Sequence, residues 1–131
     1  MTEIGSPQTD VAAIGKAIVA LHKERFGRGP TTTRTCFAGP DIVVCALEDA
    51  LLPAERELIH NGKEERVREL RTSWQVATEP AFIAAVEQIL YRKVRAFASA
   101  IDPKGNMIFE VFCLDSREDG VHSQPRAPLV T

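Results

Sequence analysis

The sequence predicts an α+β two-layer sandwich: an antiparallel four-stranded sheet of two hairpins with helices on one face, in the order α-β-β-α-α-β-β. Three observations predict it. Apolar residues recur at helical spacing in Val11, Ile14, Ile18 and Leu21, and again in Val67, Leu70, Trp74 and Ala77. Two pairs of strand-like runs each flank a tight polar turn, Gly39-Pro40-Asp41 in the first pair and Asp102-Pro103-Lys104-Gly105-Asn106 in the second. The long helical stretch lies between the two pairs, which leaves two hairpins in one antiparallel sheet with helices on one face.

Residues 1–8 lack periodicity and read as a flexible arm. Thr9 or Asp10 can cap the first helix by accepting a backbone N–H. Gly15 interrupts that helix and suggests a close approach by another part of the chain. Gly27 is what a helix needs just past its end, because a residue without Cβ enters the left-handed conformation at little cost. Pro30 prevents the helix from resuming.

Thr33 to Ala38 and Ile42 to Leu47 form the first hairpin. The run from Ile42 to Leu47 does not alternate, which suggests a strand covered on both faces. The chain's own helices can cover one of them, so a partner is expected on the other. Pro53 can open the second helix, and Glu55 and Glu57 suit the positive end of its dipole. Asn61-Gly62 breaks the pattern, the third helix runs from Lys63, and Pro80 predicts a kink or restart. Val94 to Ile101 and Met107 to Leu114 form the second hairpin. The alternation puts Arg95, Phe97, Ser99 and Ile101 on one face and Val94, Ala96, Ala98 and Ala100 on the other, where small side chains would let a helix pack closely. Residues 9–114 thus form one domain, and residues 115–131, polar and dotted with proline, read as a disordered tail.

At 131 residues the chain can bury a self-sufficient core, and its formal net charge of -2 argues against a surface built wholly for nucleic acid or anionic lipid. No apolar run approaches the ~20 residues of a membrane span. Met1 to Asp10 lacks the layout of a secretory signal, and three unpaired cysteines fit a reducing compartment. A cytoplasmic location is expected. Cys36, Cys45 and Cys113 all fall inside apolar strands and are expected to be buried and inert. His22, His60 and His122 are far apart and no metal-ligand spacing occurs, so neither a metal nor another cofactor is expected. No nucleotide-hydrolysis or nucleophile motif is present, and no enzymatic activity is expected.

The densest positive cluster surrounds the first helix–strand junction. His22, Lys23, Arg25, Arg28 and Arg34, with the backbone of Gly27 and Gly29, could hold a carboxylate or phosphate. Basic residues in a last helical turn also complement the helix dipole with no ligand at all. Arg92 and Lys93 would extend the patch if the two ends met in space. His22, four residues from both Ile18 and Phe26, reads as a half-buried structural histidine. The mixed charges of Lys63 to Arg71 read as a solvated helix face.

Several stretches together resemble a small bacterial family, MpsC. They are Leu21-His22-Lys23-Glu24-Arg25-Phe26-Gly27-Arg28-Gly29-Pro30, Leu52-Pro53-Ala54-Glu55, Val67-Arg68-Glu69-Leu70-Arg71, Arg92-Lys93-Val94 and Glu110-Val111-Phe112. The resemblance covers roughly Val11 to Leu114. It departs at Leu52, where a small polar cap is expected, and at Tyr91, where a glycine is expected. It implies a small accessory protein linked to a sodium-translocating, membrane-potential-generating system, with no established reaction. The expected function is a non-enzymatic binding or regulatory protein, homodimeric through its sheet, with a membrane transport-system protein as partner. An RNA-binding module is the alternative, motivated by the basic junction.

Overall fold

Where apolar residues alternate with polar turns the chain pairs into hairpins, and where they recur at helical spacing it coils across them. The computed structural model describes residues 7–116; of the arm expected over residues 1–8, residues 7–8 belong to the first helix and the rest lie outside the described residues, as does the part of the tail expected over residues 115–131 beyond Ser116. Among the described residues the elements are α1 (Pro7–Phe26), β1 (Thr32–Phe37), β2 (Ile42–Glu48), α2 (Pro53–His60), α3 (Glu64–Leu90), β3 (Val94–Asp102) and β4 (Met107–Leu114). All neighbouring strands are antiparallel and the sheet order is β1-β2-β4-β3. The two hairpins therefore meet through their second strands.

The alternation decides which face is the core. Val43, Cys45 and Leu47 of β2 and Ile108, Phe112 and Leu114 of β4 are buried, and they pack with Ile14 and Ile18 of α1 and Phe82 and Val86 of α3. α1 contacts β1, α3 contacts β3, and α2 contacts α3. Gly15 lets α1 sit low on the sheet, since a Cβ there would lie 3.1 Å from the Thr35 hydroxyl.

Three local readings are narrowed or corrected by the structure. α1 begins at Pro7, before the expected Thr9 or Asp10 cap, because proline suits a first helical turn whose N–H needs no partner. Pro80 lies inside α3 without ending it. The hydrogen bond it forfeits is to the Val76 carbonyl, and Val76 is 72% exposed, on the side facing water. The third concerns β3, where a bulge separates Val94 from Ala96. The extra residue returns Val94 to the core face, and its N–H donates to Glu87 of α3 at 2.9 Å. Phe97, Ser99 and Ile101 then face the helices, while Ala96, Ala98 and Ala100 are exposed on the opposite face. No described helix packs on the alanines.

The two family departures have visible consequences. Leu52 cannot cap α2 with its side chain; Glu55 alone reaches back, its Oε1 accepting the Leu52 N–H at 2.7 Å. Tyr91 ends α3 in the left-handed region at φ 55, ψ 40. Its side chain is 78% exposed and gains little in return. Tyr91→Gly is therefore expected to stabilise the fold by roughly 0.5–1 kcal/mol, which differential scanning calorimetry would register as a Tm a few degrees higher. An unchanged or lower Tm would mean that the ring offsets the backbone strain. Gly27, at φ 85, already has the residue that its position requires; its N–H donates to the Lys23 carbonyl at 2.9 Å and closes α1.

Candidate functional site

The residues of the basic junction do not converge on one site. Lys23 and Arg25 are exposed on α1, while Gly29 lies against Val19. Arg28 turns inward, donating from Nη1 to the Leu51 carbonyl at 2.7 Å and from Nη2 to Asp49 Oδ2 at 3.3 Å. The carboxylate that it holds is the chain's own. Asn106 joins the same corner by donating to Asp49 Oδ1 at 3.0 Å and accepting the Leu51 N–H at 3.2 Å. Arg34 projects from the sheet face opposite the helices, 3.9 Å from Glu48.

Arg92 belongs to the other end of the sheet. Its Nη1 donates to the Pro40 carbonyl at 2.9 Å, and its Nη2 to Asp41 Oδ1 at 2.5 Å and the Asp115 carbonyl at 2.6 Å. Lys93 beside it is exposed. Asp41 precedes β2 and Asp49 follows it, so the two basic groups stand roughly 25 Å apart along the strand.

His22 is fully rather than half-buried. It is 2% exposed, and its Nε2 lies 3.0 Å from Oε2 of Glu110, which is 3% exposed. Glu110 occupies an inward position of β4 between Ile108 and Phe112. Its second oxygen, Oε1, is buried without a hydrogen-bond partner among the described residues. The rings of Phe26 and Phe82 lie 5.4 and 5.3 Å from that of His22. A cavity of about 50 Å³ stands over the pair, lined also by Arg71, Gln75, Phe97 and Ser99.

Arg71 forms the second buried polar pair. Its Nε donates to Glu55 Oε2 at 2.7 Å and its Nη2 to Glu55 Oε1 at 2.6 Å, with the guanidinium 4.5 Å over the Phe26 ring and 5.6 Å from that of Trp74. This fork closes α2 against α3 and puts charge inside a helix segment whose interspersed signs had suggested only a solvated face. Neither Glu110 nor Glu55 stands out by local spacing. A carboxylate in phase with the inward residues of β4 is the one sequence signal that marks Glu110.

The face of the sheet opposite the helices is largely apolar. Across the strands it presents the rows Arg34–Ala46–Phe109–Ala100, Cys36–Val44–Val111–Ala98 and Ile42–Cys113–Ala96. Glu48, with Arg34 3.9 Å from it, and Asp102 stand at one end, and the exposed Arg95 and Lys93 at the other. The cysteines are not uniformly buried as the apolar strands had suggested. Cys36 is exposed and Cys113 half-buried on this face, and Cys45 alone lies in the core. Burial pushes the Cys45 thiol up to about 11, a rise that the hydrogen bond from Thr35 partly offsets.

No described helix is long and apolar enough to cross a membrane, and no group of three or more His, Cys, Asp or Glu among the described residues could hold a metal. No curated protein and no solved structure matches the chain. Residues 10–116 match the family described as "Na+-translocating membrane potential-generating system (MpsC)". That match spans every described helix and strand except the first turn of α1, together with both buried polar pairs, and the chain belongs to the MpsC family.

Proposed function

We propose that the protein is a non-enzymatic accessory subunit that works as a homodimer joined through the open sheet face, in the service of a sodium-translocating system. The apolar rows on that face are the observation that carries the reading. Soluble monomers rarely leave so continuous an apolar surface in water. The charges at its ends support a second copy as occupant. A two-fold axis lying between the sheets and across the strands would set Glu48 and Asp102 of one copy against Arg95 and Lys93 of the other, twice over. The link to sodium transport rests on the family's description.

Val111 stands in the middle row, and Val111→Glu would bury a carboxylate between the copies while pointing away from the core of its own chain. Light scattering is expected to give twice the chain mass for the native protein and the single mass for the variant, with an unchanged circular dichroism spectrum. In a host lacking the gene, the native chain should restore the sodium-dependent part of the membrane potential and Val111→Glu should not. A native monomer at micromolar concentration would refute the dimer, and full rescue by a monomeric variant would refute the face as the working surface.

A further inference from the structure

We propose that the cavity floored by His22 and Glu110 is a binding site for a small organic ammonium ion. It lies on the helix side of the sheet, so the proposal stands or falls independently of the dimer. The first argument is the unpartnered oxygen. Glu110 has a side chain only 4% exposed, and its Oε2 is engaged by His22 while its Oε1 has no partner among the described residues. Buried carboxylate oxygens are almost always hydrogen-bonded, and the missing partner must be a donor.

The second argument is charge. Among the described residues Arg71 is the one Lys or Arg on the cavity wall, and its fork is taken by Glu55, with the Ala50 carbonyl a further acceptor at 3.4 Å from Nη2. Those two charges cancel. With Arg71 and Glu55 taken up by each other, Glu110 is the carboxylate left on the wall, beside the His22 ring. A donor that also carries positive charge satisfies both needs at once.

The third argument is the wall. Phe26, Phe82 and Phe97 line the cavity beside His22, with the Phe82 and Phe97 rings 6.2 Å apart and edge to face. Aromatic faces attract ammonium groups and also pack against their methyl groups, a contact that a bare alkali ion cannot make. Gln75 and Ser99 offer oxygens for the remaining N–H groups. Ser99 is the register partner of Glu110 and therefore sits beside it on the same face.

Size and access set the class of ligand. A cavity of about 50 Å³ takes a few heavy atoms and excludes anything as large as a nucleotide. Thr72 is exposed and Gln75 and Ser99 half-buried, so the opening lies between α3 and β3 with the carboxylate at the floor.

The test titrates the full chain with methylammonium chloride, with sodium chloride at matched ionic strength as reference, and follows backbone amide NMR shifts. Saturable shifts confined to the surroundings of residues 22, 99 and 110 are expected with methylammonium alone. Glu110→Gln keeps the shape, removes the charge, and should weaken binding roughly tenfold or more. Ser99→Leu leaves the carboxylate in place but fills the mouth, and should abolish the shifts in a folded chain, which covers the case of an unfolded Glu110→Gln. Equal shifts with sodium would overturn the organic class of the ligand. Absence of saturable shifts with methylammonium, or their persistence in Ser99→Leu, would overturn the site.

Discussion

Replacing Arg71 by alanine is expected to destabilise the protein by about 3–5 kcal/mol, a large part of the ~5–15 kcal/mol that holds a typical domain together. The guanidinium meets Glu55 through two hydrogen bonds, and Glu55 is 2% exposed. Without Arg71 a carboxylate is left in the interior with only the Leu52 N–H for company. The stacking on Phe26 and Trp74 is lost as well. Urea denaturation should show a much lower midpoint at an unchanged slope. Arg71→Lys should rescue little, because a single ammonium cannot reproduce the planar fork. Removing both partners, Arg71→Ala with Glu55→Ala, should cost clearly less than the sum of the single changes. Additive costs would show that the pair contributes nothing as a pair.

Phe112→Ala is expected to cost a similar ~3–5 kcal/mol through the cavity it leaves. Phe112 is fully buried, pairs in register with Val43 and Phe97, and packs its ring 4.9 Å from the Phe97 ring, which in turn meets Phe82 of α3. Phe109→Ala on the same strand is the control, since that ring points to the open face. Its effect should fall on association, seen as a Tm that depends more steeply on protein concentration. Equal costs for the two changes at all concentrations would contradict the assignment of faces.

The fold was largely legible because its signals are local. Pro53, Asn61-Gly62 and the turn around Pro103 mark the ends of elements through the restricted or relaxed backbone of those residues. Of the two readings of Pro80, the restart does not occur: α3 runs on through it, and the hydrogen bond it forfeits lies on the exposed flank. The three alanines of β3 misled. Their alternation was read correctly, but the bulge before Ala96 and the inward Phe97 decide which side meets the helices. The partnerships of the buried polar pairs were not legible, although the inward phase of Glu110 on β4 was. Glu55 and Arg71 are 16 residues apart and His22 and Glu110 are 88 apart, so each partnership exists only once the tertiary fold does. The basic junction shows the converse. Its charges are close in sequence, yet Arg28 turns in to Asp49 and Arg34 out to Glu48, while Arg92, which could have extended the patch, is held at the far end of β2 by Asp41.

The meeting of the two hairpins through β2 and β4 also governs how the chain can be born. β2 gains its inner neighbour only when residues 107–114 have been made, so the first half of the protein leaves the ribosome with β1 as its sole strand partner. Until then Val43, Cys45 and Leu47 are sheltered on their side of the strand by α1 alone, and Val44 and Ala46 on the other side by nothing in that half. Closure of the sheet is thus a late, long-range event, slow by the measure of sequence separation. A nascent chain halted before β4 is a natural client for a chaperone, and release follows once the final strand slots between the two hairpin edges.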